Sequence, residues 1–285
     1  MTEFRPGSFQ ILPVIIKNLI IINALVFLAQ ITLDGVGPGT DLAIRTGKIA
    51  DTFALHNLQS PLFKPWQLLT HMFMHGSLIH LFFNMFGLWM FGSILENLWG
   101  PQRFLVFYLL CGIGAAMLHL GFLWYESLPM ITEFEQFKLK PTADGFVTFA
   151  NNYGLTNVMD VQEANDILNN WRLQPDNADW AEKAVVATTD LTHAILRNPT
   201  VGASGAVFGC LAAFGYLFPN TYVYLYFLFP IKAKWMVIGL MAMELFWAVR
   251  NTAGDNIARW AHLGGALVGV LLVIFWNRRN RRTFY

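Results

Sequence analysis

A serine held between glycines, Gly202-Ala203-Ser204-Gly205, stands where a long polar segment gives way to an apolar run from Ala206 to Phe218. Polar side chains are costly at the edge of a hydrocarbon layer, so this hydroxyl needs a partner. It can bond its own helix, as serines in apolar helices do. Alternatively it is a nucleophile, and then it needs a base elsewhere in the chain. His262, at the outer end of the last apolar run, is the candidate. Ala261, Gly265 and Gly269 recur every four residues around it, and Gly205, Gly209 and Ala213 do the same beside Ser204. Small residues at that spacing let two helix backbones approach closely. If the two stripes face each other, Ser204 and His262 meet at one depth as a nucleophile and a general base.

Two further polar residues, His80 and Asn84, lie four apart in another apolar stretch and so share one helical face. They suit either hydrogen-bond donation to an oxyanion or metal ligation. His71 and His75 repeat the spacing just upstream. No H-E-x-x-H occurs and no carboxylate lies near these histidines in sequence, so neither a catalytic metal nor another cofactor is expected. His71 and His75 are instead expected to tie the preceding loop to the top of the second apolar helix.

The elements that position these residues are membrane helices. Charged residues make up 13% of the 285 and apolar residues 55%, which describes an all-α polytopic membrane protein in contact with a lipid bilayer. A net charge of +1 and dispersed basic residues give no support for nucleic acid as a partner. Cys111 and Cys210 fall inside apolar runs and read as small buried hydrophobes.

Six runs are candidates to cross. They are Val14 to Leu33, read as a retained helix and not a cleaved signal; Ser77 to Trp99, ended by Gly100-Pro101; Phe104 to Trp124; Ser204 to Phe218; Trp235 to Val249; and Ile257 to Trp276. The fourth run makes only roughly 22 Å of helix against a core of ~30 Å. Ser204 then lies below the surface, where water reaches it only through a cavity.

Residues 34–76 carry turn chemistry at Asp34-Gly35-Val36-Gly37-Pro38-Gly39 and read as a structured interfacial loop with Trp66 at headgroup level. Residues 126–200 differ in kind, with eleven Asp/Glu against five Lys/Arg and no membrane-length apolar run. Two helices are expected there. One covers Val158 to Trp171. The other covers Asp176 to Ile195, with Asp176 as N-cap and a stripe of Trp180, Ala184, Ala187, Leu191 and Ala194. A segment of this size without a large apolar core is expected to pack on the rest of the chain.

The organisation expected is therefore a short tail (1–12), three spans with the interfacial loop (13–125), an acidic, partly helical extramembrane insertion (126–200), three more spans (201–276) and a basic tail (277–285). Six spans set both termini on one side, together with Arg103, Lys232, Lys234 and the Arg278-Arg279-Asn280-Arg281-Arg282 cluster. The positive-inside rule makes that side cytoplasmic and the insertion exterior, in a plasma or bacterial inner membrane.

Gly202-Ala203-Ser204-Gly205, with His75-x4-His80-x3-Asn84 and Ala261-His262-x2-Gly265-x3-Gly269, resembles the rhomboid intramembrane serine proteases over all six spans. It is not the G-x-S-x-G elbow of soluble hydrolases, because Ala206 stands where the last glycine belongs. The resemblance implies a six-helix rhomboid bundle with the insertion between its third and fourth spans. It implies a dyad of Ser204 as nucleophile and His262 as general base, without an acidic third member. His80, Asn84 and the Ser204 backbone N–H would form an oxyanion hole, and Gly202, Gly205, Phe208, His75, Gly265 and Gly269 would support the site.

The substrates implied are transmembrane helices of other membrane proteins, admitted past the fifth helix and its following loop, about residues 235–256. A helical peptide bond is shielded, so such a segment must unwind before attack. Phe208 stands where many relatives have Tyr, keeping the ring and losing the hydroxyl. Trp66-Gln67 stands where many have Trp-Arg. Two other classes fit the residues less well. A catalytically silent relative that binds and escorts transmembrane helices is expected to lack one member of the pair. A proton-coupled transporter needs intramembrane carboxylates, of which only Glu96 and Glu244 are offered.

Overall fold

The structure, a computed structural model, describes residues 9–34, 47–155, 159–225, 229–250 and 258–281. By its internal contacts the chain forms two units. One comprises residues 1–55, 64–120 and 199–285, and the other residues 56–63 and 121–198.

The first unit opens with α1 (Val14–Leu33), followed by the short α2 (Lys48–Phe53) and α3 (Gln67–Thr70), the latter running into a 3-10 turn at His71–Phe73. The second apolar run is one rod built from α4 (Leu78–Gly87), a π-helical turn (Leu88–Gly92) and α5 (Ser93–Trp99). Next comes α6 (Pro101–Leu139), which starts in this unit and continues into the other. After the second unit's own helices the first unit resumes with α10 (Ser204–Leu217), a two-stranded hairpin, α11 (Ala233–Arg250) and α12 (Arg259–Arg281).

Among the described residues, four helices are long and apolar enough to cross a membrane: α1, the rod Leu78–Trp99, α6 and the stretch Arg259–Asn277 of α12. The apolar α10 is shorter. It is nearly wholly buried from Gly205 to Gly215 and packs most extensively on α12. Around it lie Leu88, Phe104, Phe107, Tyr108 and Cys111. Large apolar side chains such as Leu25, Phe82, Met117, Phe246 and Leu271 point outward, while Asn23, Gln30, Glu96, His119, Glu244 and His262 are buried. That inverts the pattern of a water-soluble domain and suits a lipid surround.

Buried Glu96 is explained by the fold. Its two oxygens accept hydrogen bonds from the Ile15 and Ile16 N–H groups, each at 2.9 Å. A carboxylate there satisfies two of the unpaired donors at the start of α1 and sits at the positive end of its dipole. Glu96 is thus an inter-helix cap.

The sequence reading differs from the structure in several places. The third run extends fifteen residues past Trp124, because Glu126, Glu133 and Glu135 end the apolar stretch without ending the helix. Between α10 and α11 the expected plain loop contains an antiparallel hairpin of β1 (Tyr222–Leu225) and β2 (Phe229–Lys232), with Val223 opposite Ile231. The turn read from Gly35 to Gly39, the first eight residues, the loop after Arg250 up to residue 257 and the last four residues lie outside the described residues. The helix α12 runs on through the residues read as the start of the C-terminal tail.

The second unit has a core of its own, contrary to the expectation of a segment without one. Here α6 is joined by α7 (Ala143–Tyr153), α8 (Val161–Leu173) and α9 (Ala178–Leu196). Phe134, Phe137, Phe146, Phe149, Ile167, Trp171 and Leu191 form the apolar centre. Phe134 and Phe137 come from the part of α6 that composition alone does not mark as helical. Side-chain oxygens of Thr142, Asp160 and Asn177 cap the three helices. The cap of α9 is therefore Asn177 and not Asp176. Of the stripe read on α9, Ala184, Ala187 and Leu191 are buried, while Ala194 is exposed, and the buried face widens instead to Thr188 and Thr192.

Candidate active site

The approach to Ser204 is held by backbone. Leu55 and Thr200 exchange N–H···O bonds of 2.9 and 2.8 Å, and Gly202 N–H donates to His71 O at 3.0 Å. Gly202 adopts φ +129°, a region that L side chains rarely enter. A Cβ there would also lie 2.8 Å from His80 Cε1 and 2.9 Å from its Nε2. Only glycine gives both the turn and the room for the His80 ring. The helix α10 then starts at Ser204, with Val207 N–H to Ala203 O as its first bond. The N–H groups of Ser204 and its neighbours consequently have no acceptor within the helix and form its positive end.

The two small-residue stripes do face each other. A Cβ on Gly265 would overlap Gly205 O, and one on Gly269 would come within 2.6 Å of Gly209 O. On the facing side, a Cβ on Gly205 would meet Ala261 O at 3.3 Å, and one on Gly209 would meet Gly265 O at 3.0 Å. Backbone-on-backbone contact along α10 and α12 brings His262 Nε2 to 2.9 Å from Ser204 Oγ. Phe208, one turn along from Ser204, stacks on the His262 ring with centroids 4.1 Å apart and planes 6° from parallel. The ring alone performs that contact.

His80 and Asn84 project from the first turns of α4, which Ser77 caps by accepting the His80 N–H at 3.2 Å. Gly76 N–H donates to His80 Nδ1 at 3.4 Å. With Nδ1 accepting, a neutral ring carries its proton on Nε2, the nitrogen beside Gly202. Asn84 is buried and donates from Nδ2 to His80 O at 3.0 Å, bracing the turn that carries His80.

His75 is fully buried, with its ring 5.2 Å from that of His80. Burial, with the His80 ring adding to it, pushes its pKa down to about 3. Burial likewise takes His71 to about 4, and its Nδ1 bonds Gln67 O at 2.8 Å. Both rings are therefore neutral near pH 7 and add no positive charge beside Ser204. Gln30, absent from the sequence reading, clamps this loop: its amide donates to His75 O and accepts from His75 N. Gln67 also anchors backbone, accepting from Lys64 N and donating toward Asp51 O and Thr52 O.

A small cavity opens beside Ser204, lined by His71, Thr200, Gly202, Gly205, Ala258 and Ala261. His119 borders this region, bonding Thr200 Oγ1 through Nε2 at 2.8 Å. One residue that sequence spacing did not link to the pair is close to it. Glu244 of α11 brings Oε1 to 3.3 Å from His262 Nδ1 and Oε2 to 3.4 Å from Arg259 Nη1. Ser204 and His262 are thus in contact, with Phe208 stacked on the histidine, Gly202 against the His80 ring and Asn84 bonded to the turn that carries His80. The group is equipped to move a proton from a hydroxyl to an imidazole beside N–H donors.

Residues 63–131 and 183–279, more than half of the chain, match the Rhomboid domain. Over 205 residues the chain is 27% identical to the mitochondrial Rhomboid protein 1 of Saccharomyces cerevisiae, covering 70% of this chain and 38% of that protein. Over 225 residues it is 26% identical to an uncharacterized mitochondrial rhomboid protein of Schizosaccharomyces pombe, covering 75% and 52%. Over 62 residues it is 39% identical to Rhomboid protease GluP of Bacillus subtilis, covering 22% and 12%. The chain therefore spans about half or less of the length of these relatives.

The mitochondrial names overturn the expectation of a plasma or bacterial inner membrane with cytoplasmic termini, and point to a mitochondrial membrane. The physical reason is that charge asymmetry reports orientation relative to a bilayer and says nothing about which bilayer it is. Both stretches that carry the facing glycines, the serine and the histidines lie within the matched regions, and by that match the chain belongs to the rhomboid family.

Proposed function

We propose that this protein is a serine endopeptidase that hydrolyses peptide bonds in transmembrane segments of other membrane proteins, with Ser204 as nucleophile and His262 as general base. The 2.9 Å contact between Ser204 Oγ and His262 Nε2 carries the reading. The spans Leu78–Trp99, α6, α1 and the membrane-length part of α12 are completed to six by the short α10 and by α11.

In the reaction, Ser204 Oγ adds to the carbonyl carbon of the scissile bond while its proton passes to His262 Nε2. The negative charge that develops on the carbonyl oxygen is met by the His80 Nε2–H, the Asn84 amide and the Ser204 backbone N–H, reinforced by the positive end of α10. Collapse breaks the C–N bond, and His262 returns its proton to the leaving amine. Water, reaching the acyl-enzyme through the cavity, adds with His262 again as base and releases Ser204 and the new carboxylate. Stacking on Phe208 limits the ring to one plane, so the same nitrogen serves both steps. Residues 126–200, immediately ahead of Ser204 in sequence, act in choosing substrates.

A serine-directed fluorophosphonate tests the reading at the residue level. Label is expected on Ser204 in the purified protein and absent in His262→Ala. Label that survives in His262→Ala at the parent rate, or that maps elsewhere, would overturn the assignment.

A further inference from the structure

We propose that Glu244 is a positioning residue for His262, holding the ring proton on Nδ1 so that Nε2 is free to accept from Ser204. This inference rests on His262 acting as base, as proposed above.

Glu244 is 6% exposed, on a helix of a membrane protein. A buried carboxylate is costly unless it is paired. Among the described residues its two oxygens have two partners, both from the first turn of α12: Oε2 lies 3.4 Å from Arg259 Nη1 and Oε1 3.3 Å from His262 Nδ1. From the histidine's side the need is complementary. His262 Nδ1 is buried and makes no aligned hydrogen bond. A neutral imidazole that accepts through Nε2 must carry its proton on Nδ1, and a buried N–H wants an acceptor. Glu244 Oε1 is the acceptor at hand. The contact is at ion-pair distance and not yet aligned, as such contacts often are before substrate binds.

The proton balance is simple. The proton taken from Ser204 goes to His262 Nε2 and then to the leaving amine; the Nδ1 proton stays on His262 and is not passed to Glu244. The carboxylate faces the transient imidazolium, and the Arg259 contact at 3.4 Å holds it in place. The geometry therefore adds a third, acidic member to what the family resemblance implied is a two-residue site. It also links α11 to the site, since Glu244 stands eighteen residues before His262 on a different helix.

The test uses the full-length protein in liposomes with a fluorogenic transmembrane reporter, comparing parent, Ser204→Ala, Glu244→Gln and Glu244→Asp. Glu244→Gln is expected to lower kcat by about 100-fold with KM changed less than threefold, and Glu244→Asp to recover at least a tenth of parent kcat. A second readout does not need turnover. In protein carrying 15N-histidine, at a pH where the ring is neutral, the parent's His262 is expected to show the Nδ1–H tautomer, and Glu244→Gln a mixture or the Nε2–H form. Parent-like kcat in Glu244→Gln, a gain in activity, or an unchanged tautomer would each overturn the proposal. Reporter cleavage by Ser204→Ala equal to the parent would instead remove the protease reading, while the tautomer measurement still decides the role of Glu244.

Discussion

Replacing Gly265 by Ala puts a single methyl where α10 and α12 touch. In the native packing that methyl would overlap Gly205 O and stand 2.6 Å from Gly205 C and 3.1 Å from Gly205 Cα. Every one of these is backbone, so no side chain can rotate away. Restoring ordinary contact, about 3.4 Å or more, requires the helices to part by more than 1 Å, an overpacking that costs about 1–3 kcal/mol. Ser204 neighbours Gly205, and His262 lies one turn before Gly265. The same displacement therefore stretches the 2.9 Å Oγ–Nε2 contact beyond hydrogen-bond reach. A misplacement of about 1 Å costs on the order of 100-fold in rate. Reporter cleavage and thermal unfolding of the parent and Gly265→Ala measure both effects, with Gly239→Ala as control, because a Cβ at Gly239 meets nothing. The expectation is a lower unfolding midpoint and about 100-fold less kcat for Gly265→Ala, and neither for the control. Parent-like rate and midpoint in Gly265→Ala would refute the claim that direct backbone contact sets the site.

Three further outcomes follow from other contacts. Gly202→Ala strains a φ of +129° and pushes on the His80 ring; kcat is expected to fall roughly 100- to 1,000-fold, as for loss of an oxyanion donor, with the protein still extractable and folded by circular dichroism. Glu96→Gln turns one acceptor oxygen at the start of α1 into an amide donor facing an N–H. A loss of about 2 kcal/mol in stability is expected, read by denaturant titration, with cleavage per folded molecule unchanged. Replacing residues 132–182, which the family match leaves out, by a flexible linker is expected to alter the relative rates across a panel of transmembrane substrates; identical relative rates would end the idea that the segment selects among them.

Much of this was legible in the residues because close helix approach leaves a sequence trace. Gly205 and Gly209 against Ala261, Gly265 and Gly269 form two period-four stripes, and the residues beside them, Ser204 and His262, had to meet once the stripes faced each other. Phe208 on His262 was legible only through the family resemblance, which puts an aromatic ring at that position. Glu244 was not, since a lone carboxylate in an apolar helix shows no periodic partner, and its link to His262 depends on the rotation of α11. The extension of α6 and the second unit's phenylalanine core were hidden by one feature. Glutamates mark the end of an apolar run, yet they are good helix formers, so Phe134 and Phe137 sit on a helix that hydropathy ends too early. The hairpin had a signal in the aromatic and β-branched run Tyr222-Val223-Tyr224, with Pro230 opposite. The shift of the α9 cap by one residue reflects two adjacent residues, Asp176 and Asn177, that cap equally well.

Cleavage itself is the most direct test of the central claim. The purified protein, in liposomes with a transmembrane reporter, is compared with Ser204→Ala and His262→Ala, and the product ends are mapped by mass spectrometry. The account predicts one cut within the reporter's membrane segment by the parent and none above background in either variant. Cleavage that persists in Ser204→Ala, or a folded parent that cuts no reporter in the panel, would contradict it.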